Sequence, residues 1–284
     1  MLAEQAEEAA RLLAAARGGQ PLAEPPAECR PQSDADAYQI QDAVTRRLGE
    51  TIGGWKIGVA SPATAAFCAP IFARMIRPSP ASYAAHELRL IGIEAEIAFR
   101  LGHDLPARPT PYERAEVTAG ASLHPAIEVV DSRYADFPSR GRPSILADNF
   151  SNGGLVWGLA VPGWEALDLS RTQMMLTEDG KPFADSSMGA ARDPVAALVD
   201  FANLMRSRGG AKAGALVTNR LVDRHGLHPA RRPDRRRFRP ARPRRNRLPR
   251  QLSRRPAASY LPTARRPMSR RQKPSGHRIR SIAA

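Results

Sequence analysis

The positive charge of this 284-residue chain is gathered at one end, which limits how much of the chain can build a core. Residues 1–218 carry 21 Lys plus Arg against 26 Asp plus Glu, a net charge of −5, whereas residues 219–284 carry 22 against 2, a net of +20. All but one of those 22 basic residues are Arg, interleaved with Pro and few hydrophobic side chains. So little apolar surface cannot offset the entropy of ordering, so 219–284 reads as a disordered Arg/Pro-rich tail. The core must come from residues 1–218, enough for one domain of ordinary size.

Cys29 and Cys68 are the only cysteines and have no paired spacing, which gives no disulfide framework and no cysteine-based zinc site. The N-terminal stretch MLAEQAEEAARLLAAARGG carries acids rather than a basic lead, and its apolar runs are too short for a signal core or a membrane span. A cytoplasmic protein with no membrane partner is expected.

Residues 4–17 are Ala-rich and end at Gly18-Gly19, which predicts a helix. A Pro-rich run to Pro31 reads as a linker. Ser33 to Asp36 looks like a capping-box start for a second helix with Tyr38, Ile40, Val44 and Leu48 on one side. Together these give an N-terminal helical segment, 1–50, ahead of a catalytic domain, 51–218. Residues 55–59 read as a short strand, the stretch 86–100 contains the clearest one, and 125–131 is another. Asp193-Pro194 caps a third helix that Gly209-Gly210 stops. Strands and helices mix without regular alternation, the pattern of an α+β fold.

Within 86–100, Ile93, Ala95, Ile97 and Phe99 alternate with Glu94, Glu96 and Ala98. Residues two apart on a strand share a face, so the two carboxylates project together and Ile93, Ile97 and Phe99 are expected to bury the other side. Carboxylates held so close raise each other's cost of ionising, and a divalent cation relieves that conflict. A third, Glu128, stands in the apolar strand HPAIEVV, where a charge is costly unless paired or coordinated. Oxygen donors of this kind suit Mg²⁺ or Mn²⁺. The pattern alone equally fits a solvated acidic face with Glu128 at a strand end.

Five blocks, AYQIQDAV at 37–44, GWKIGVAS at 54–61, IGIEAEIAF at 91–99, HPAIEVVDSRY at 124–134 and ADNFSNGGLVWG at 147–158, resemble the 2-keto-4-pentenoate hydratase branch of the fumarylacetoacetate hydrolase superfamily, in order and spacing. The resemblance implies a mixed β-sheet roll preceded by N-terminal helices. It implies Glu94, Glu96 and Glu128 as ligands of Mg²⁺ or Mn²⁺, with a small 2-oxo acid bound through its carboxylate and keto oxygens. Lys56 matches the family's active-site lysine, which shuttles a proton or neutralises charge on an enolate. Asp131 and Arg133 lie in the D-S-R stretch and are expected to shape the catalytic site. Asp148 and Asn149 fit hydrogen-bonding scaffold and substrate contact equally well.

The activity implied is hydration of a 2-hydroxy-2,4-dienoate, with decarboxylation of 4-oxalocrotonate or hydrolysis of an acylpyruvate as relatives, in a homo-oligomer. Residues 67–75 lack the acidic stretch that such hydratases often carry.

The tail has two further readings. As a functional segment it would bind nucleic acid non-specifically through phosphates, although Phe238 and Tyr260 are its only aromatics. The other reading is a shifted frame. After an A-G-x-x-V-T block the family continues with T-G-S-x-T-G and later D-F-G-P-L-G. Permissible codons for residues 219–224, read one base later, spell Thr-Gly-Ser-Trp-Thr-Gly, and those for 237–244 can spell Asp-Phe-Gly-Pro-Leu-Gly-Arg-Val. A single-base insertion after Thr218 is therefore expected, with missing C-terminal strands and a poorly soluble or inactive chain.

Overall fold

A computed structural model describes residues 1–58, 66–84, 87–90, 92–171, 173–178, 181–185, 193–220 and 278–280. The chain opens with α1 (Ala3–Gly18) and α2 (Asp34–Leu48). Ser33 caps α2 by accepting from the Asp36 backbone, while the Asp36 carboxylate accepts from the Ser33 N–H, so two orphan donors are satisfied. Gly49, at φ 63°, takes the left-handed conformation that ends the helix. Ile40 and Val44 are buried from this helix, each worth about 1.5–3 kcal/mol of removed apolar surface.

The Pro-rich run is more than a linker. Leu22 donates to the Arg133 carbonyl (2.8 Å) and accepts from Ala135 (2.9 Å), and Cys29 is buried. The run is thereby strapped to the segment after the fifth strand.

The strands are β1 (Ile52–Gly58), β2 (Phe67–Phe72), β3 (Ile76–Pro78), β4 (Gly92–Arg100), β5 (Ser122–Val130), β6 (Asn152–Trp157), β7 (Gln173–Glu178), β8 (Lys181–Asp185), β9 (Leu216–Arg220) and β10 (Arg278–Arg280). Short helices α3 (Arg114–Thr118) and α4 (Arg142–Ala147) flank β5, and α5 (Pro194–Met205) precedes β9. Asp193 caps α5 by accepting from Val195 (2.9 Å), and Gly209 and Gly210 turn the chain away at positive φ. Seven strands form one mixed sheet in the order β2-β1-β9-β4-β5-β6-β3; β1–β9 and β3–β6 are parallel and the other pairs antiparallel.

That order forces curvature. The two outer strands, β2 and β3, are consecutive in the chain and separated only by the 3₁₀ turn Ala73–Met75. A flat sheet would hold them six strand widths apart, near 28 Å, which three residues cannot span. The sheet therefore curls into a half-barrel, and Ile71 of β2 meets Leu155 of β6 in one cluster.

Alternation then sorts the faces. On the convex side Trp55, Ile57, Ile97, Phe99 and Val217 pack against Val195, Leu198 and Phe201 of α5. On the concave side Ile71, Ala98, Ala126, Leu155 and Leu216 form an apolar plug. Helices α1, α2 and α4 cover one end with Phe67, Phe72 and Leu146. Among the described residues no helix is long and apolar enough to cross a membrane. Of the expected tail, Asn219 and Arg220 complete β9 inside the sheet and Arg278–Arg280 forms a strand parallel to β7, which departs from disorder at both places; residues 221–277 and 281–284 lie outside the described residues.

Candidate metal centre

Three polar residues of the site lie two positions along their own strands from a residue of the apolar plug. Glu96 neighbours Ala98 on β4, Glu128 neighbours Ala126 on β5, and Thr218 neighbours Leu216 on β9. Period-two geometry therefore stacks a charged layer on an apolar one inside the half-barrel. Antiparallel register sets Glu94 directly opposite Glu128, and parallel register sets Lys56 beside Thr218.

The three carboxylates converge as expected: one oxygen from each of Glu94, Glu96 and Glu128 lies within 4.8 Å of the others, and all three are buried. Ile93 is only half-buried, so the expectation that β4 buries its apolar side at this end is corrected. Curling turns the acidic face inward, and Glu96 and Glu128 have no solvent exposure.

Lys56 reaches into the same space. Its Nζ lies 2.5 Å from Glu128 Oε2 and 3.6 Å from Glu94 Oε2, and 4.8 Å from the centre of the Phe150 ring. A surface lysine beside Trp55 is excluded, because the residue is 4% exposed. Burial works against its charge, but Glu128, Glu94 and Glu96 outweigh burial and hold its pKa above the ordinary lysine value.

Burial likewise pushes the Glu96 carboxyl up, opposed by Lys56 and reinforced by Glu94. It pushes Glu128 further still, with Lys56 opposing and the other two carboxylates adding. Among the described residues, the Lys56 ammonium alone cannot neutralise three carboxylates. Both oxygens of Glu96 lack a well-formed hydrogen bond; the Thr218 hydroxyl faces them closely enough to lower the pKa without the alignment of one. Buried, excess negative charge on unsatisfied oxygens is the donor set that a hard divalent cation fits.

The other sequence candidates sit one layer out. Asp131 accepts through Oδ1 from the backbone of Arg89 (3.2 Å) and Leu90 (2.7 Å). Arg133 is 2% exposed and donates through Nε to Asp148 Oδ1, through Nη2 to the Asp148 carbonyl and through Nη1 to the Asn152 carbonyl (2.9 Å). Asp148 is scaffold, because Oδ2 also accepts from Ser132 Oγ and the Arg133 backbone, both at 2.9 Å. Asn149 donates through Nδ2 to the Pro70 carbonyl (3.2 Å), which is a scaffold contact, while its buried Oδ1 has no hydrogen-bond partner among the described residues, so the contacts do not choose between its two readings.

Sequence reasoning missed Phe150, Asn152 and Thr218. Asn149, Phe150 and Ser151 are three successive left-handed residues, with φ of 50°, 50° and 56°. Non-glycine residues pay for that conformation, and such strain gathers at functional sites. The turn lays Phe150 edge-on against Phe67 at 4.8 Å and over Lys56. Asn152 donates through Nδ2 to Glu128 Oε1 at 2.8 Å. The quoted ADNFSNGG block held a signal for this, since a Gly pair opening a strand marks a bulge. The inactivity expected from a shifted frame gains no support here, because the acidic cluster is assembled entirely upstream of residue 219.

No family model matches the chain. Over 184 residues it is 33% identical to a 2-keto-4-pentenoate hydratase of Burkholderia vietnamiensis (strain G4 / LMG 22486), covering 61% of this chain and 69% of that protein. It is 35% identical to a 4-oxalocrotonate decarboxylase of a Pseudomonas species over 129 residues, 44% of this chain, and spans about half of that relative, 48%. A solved 4-oxalocrotonate decarboxylase from Pseudomonas putida G7, complexed with magnesium and adipate, superposes with a TM-score of 0.64 at 23% identity. The superposition covers 78% of this chain and 91% of that one, and it carries the fold. The chain belongs to the fumarylacetoacetate hydrolase superfamily, where its relatives are 2-keto-4-pentenoate hydratases and 4-oxalocrotonate decarboxylases.

Proposed function

We propose that this chain is a Mg²⁺- or Mn²⁺-dependent hydratase that adds water to a 2-hydroxy-2,4-dienoate, giving a 4-hydroxy-2-oxo acid. The observation that carries the reading is the trio of buried carboxylates within 4.8 Å of one another beside a buried lysine. Glu94, Glu96 and Glu128 would hold the cation. When bound, such a cation supplies Lewis acidity toward the carboxylate and 2-oxo oxygens of the substrate.

The chain's own residues do the rest. Lys56 keeps its proton at neutral pH and stands where enolate charge develops, so it stabilises that charge and delivers a proton on ketonisation. Phe150 walls the ammonium and keeps its surroundings dry. Asp131 and Arg133 act as positioning residues rather than on substrate. A homo-oligomer is part of the proposal.

A second reading is a decarboxylase of 4-oxalocrotonate type, favoured by the 35% match and by β2. That strand runs FCAPIF, buried throughout, and offers no carboxylate to activate a water. Full-length protein assayed with Mg²⁺ separates the readings. Loss of 2-hydroxypenta-2,4-dienoate is expected; turnover of 4-oxalocrotonate alone selects the decarboxylase, and turnover of an acylpyruvate alone selects a hydrolase. No turnover of any, with no Mg²⁺ binding, ends the metal reading.

The shifted frame stays a proposal about the gene, supported by the charge step at residue 218. Sequencing across codons 216–222 tests it, and an intact frame there ends it. Non-specific nucleic-acid binding by the tail is its rival, tested by salt-dependent DNA retention of the full chain.

A further inference from the structure

We infer that Asn152 is the residue that fixes which oxygen of Glu128 faces the cation; this rests on the metal reading of the acidic cluster. The side chain would ordinarily point the wrong way. β6 pairs with β5 as Glu128↔Leu155 and Val129↔Gly154, and regular alternation would then put Gly153 opposite Val130. Instead Asn152 lies opposite Val130, so β6 carries one extra residue, Gly153, where β5 steps from Val129 to Val130. A bulge of this kind flips the side chain before it, here from the convex face to the concave one.

Three features hold the flipped residue in place. The left-handed turn 149–151 delivers the chain, and the Asn152 N–H donates to the Asn149 carbonyl. Arg133 Nη1 grips the Asn152 carbonyl at 2.9 Å and is itself locked by Asp148. Gly153 admits Asp131, because a Cβ there would come within 2.6 Å of Asp131 Cβ, a contact no side chain tolerates. Arg133 and Asp131 thus reach the site through Asn152.

The amide has one chemically sensible orientation. Nδ2 meets two acceptors, Glu128 Oε1 at 2.8 Å and the Gly154 carbonyl at 3.4 Å, so the NH₂ end must point there. With Oε1 engaged, Oε2 is left toward Lys56 and the other carboxylates. A donor to the far oxygen of a ligating carboxylate orients it, and loss of such partners typically costs about 10–100-fold in metal affinity.

The test is Mn²⁺ titration of the full chain by calorimetry and electron paramagnetic resonance, on the natural protein, Asn152→Leu, Asn152→Ala and Glu128→Gln, with circular dichroism as a folding control. Both Asn152 variants are expected to keep the natural dichroism spectrum, to weaken Mn²⁺ binding by about 10–100-fold and to change the resonance line shape. The alanine variant keeps the test decisive if the bulkier leucine unfolds the turn. Folded Asn152 variants that bind within about twofold of the natural protein, with the same line shape, overturn the inference and leave the metal reading standing. Equal binding by the natural protein and Glu128→Gln, or none by either, overturns both.

Discussion

Two clusters of buried charge flank the end of β5, and they are satisfied in opposite ways. Around Asp148, both carboxylate oxygens accept hydrogen bonds, and Arg133 spends Nε, Nη1 and Nη2 on protein acceptors. Around Glu96, Lys56 is the ammonium that faces the carboxylates among the described residues, and both Glu96 oxygens lack a well-formed hydrogen bond there. The first cluster spends its charge on holding segments 131–134 and 148–152 together. The second keeps, on Glu96, buried acceptors without a well-formed hydrogen bond among the described residues, which is the feature that separates a candidate binding site from a strut of similar burial.

Breaking the strut is expected to produce the largest effect. Asp148→Ala strands a buried guanidinium and should cost about 3–5 kcal/mol of stability, read by urea denaturation. A loss below about 1 kcal/mol would show that the two clusters are not different in kind. Next comes the acidic cluster, where Glu128→Gln relieves carboxylate repulsion and still leaves Glu94 and Glu96 to face the Lys56 ammonium. It should leave metal-free stability unchanged or higher while activity with Mg²⁺ falls by at least about a hundredfold.

The pH dependence sharpens the same contrast. Burial raises the Glu96 and Glu128 carboxyls above 4.5, so the folded chain keeps protons that the unfolded chain has released. That contribution is present below the unfolded value and is lost as pH climbs through the raised folded values. Metal-free protein should therefore lose stability from about pH 4.5 upward, and the rise in melting temperature given by Mg²⁺ should grow with pH. A Mg²⁺ effect that shrinks between pH 5 and 8 would contradict this sign. Smallest is Ser151→Gly, which relaxes a φ of 56° and removes a buried hydroxyl with no partner. It should stabilise the chain by about 1 kcal/mol in the same denaturation assay.

Legibility in the sequence follows the same physics. Ser33 and Asp193 announced their helices because capping is local chemistry, and β4 announced itself by alternation. β2 did not, since all six of its residues are buried, so no polar period exists; Pro70 is tolerated because the strand is at the sheet edge. The carboxylates and Lys56 were readable from the residues and the resemblance together. Which face of β4 turns inward was not, because sheet curvature depends on the order of all seven strands. Asn152 escaped because a one-residue slip in register reverses a side chain, and alternation counted along β6 gives the wrong face.

The short turn Ala73–Met75 acts as a clasp on a hoop. Its length fixes the girth of the bore before any ligand arrives, so widening the pocket from within would strain the fastening and the plug beneath it. Phe150 rides on the turn that also delivers Asn152, so trimming that loop would disturb the partner of Glu128 as well. The width of the hoop and the set of the acidic layer are thus tied to the same short stretches of backbone.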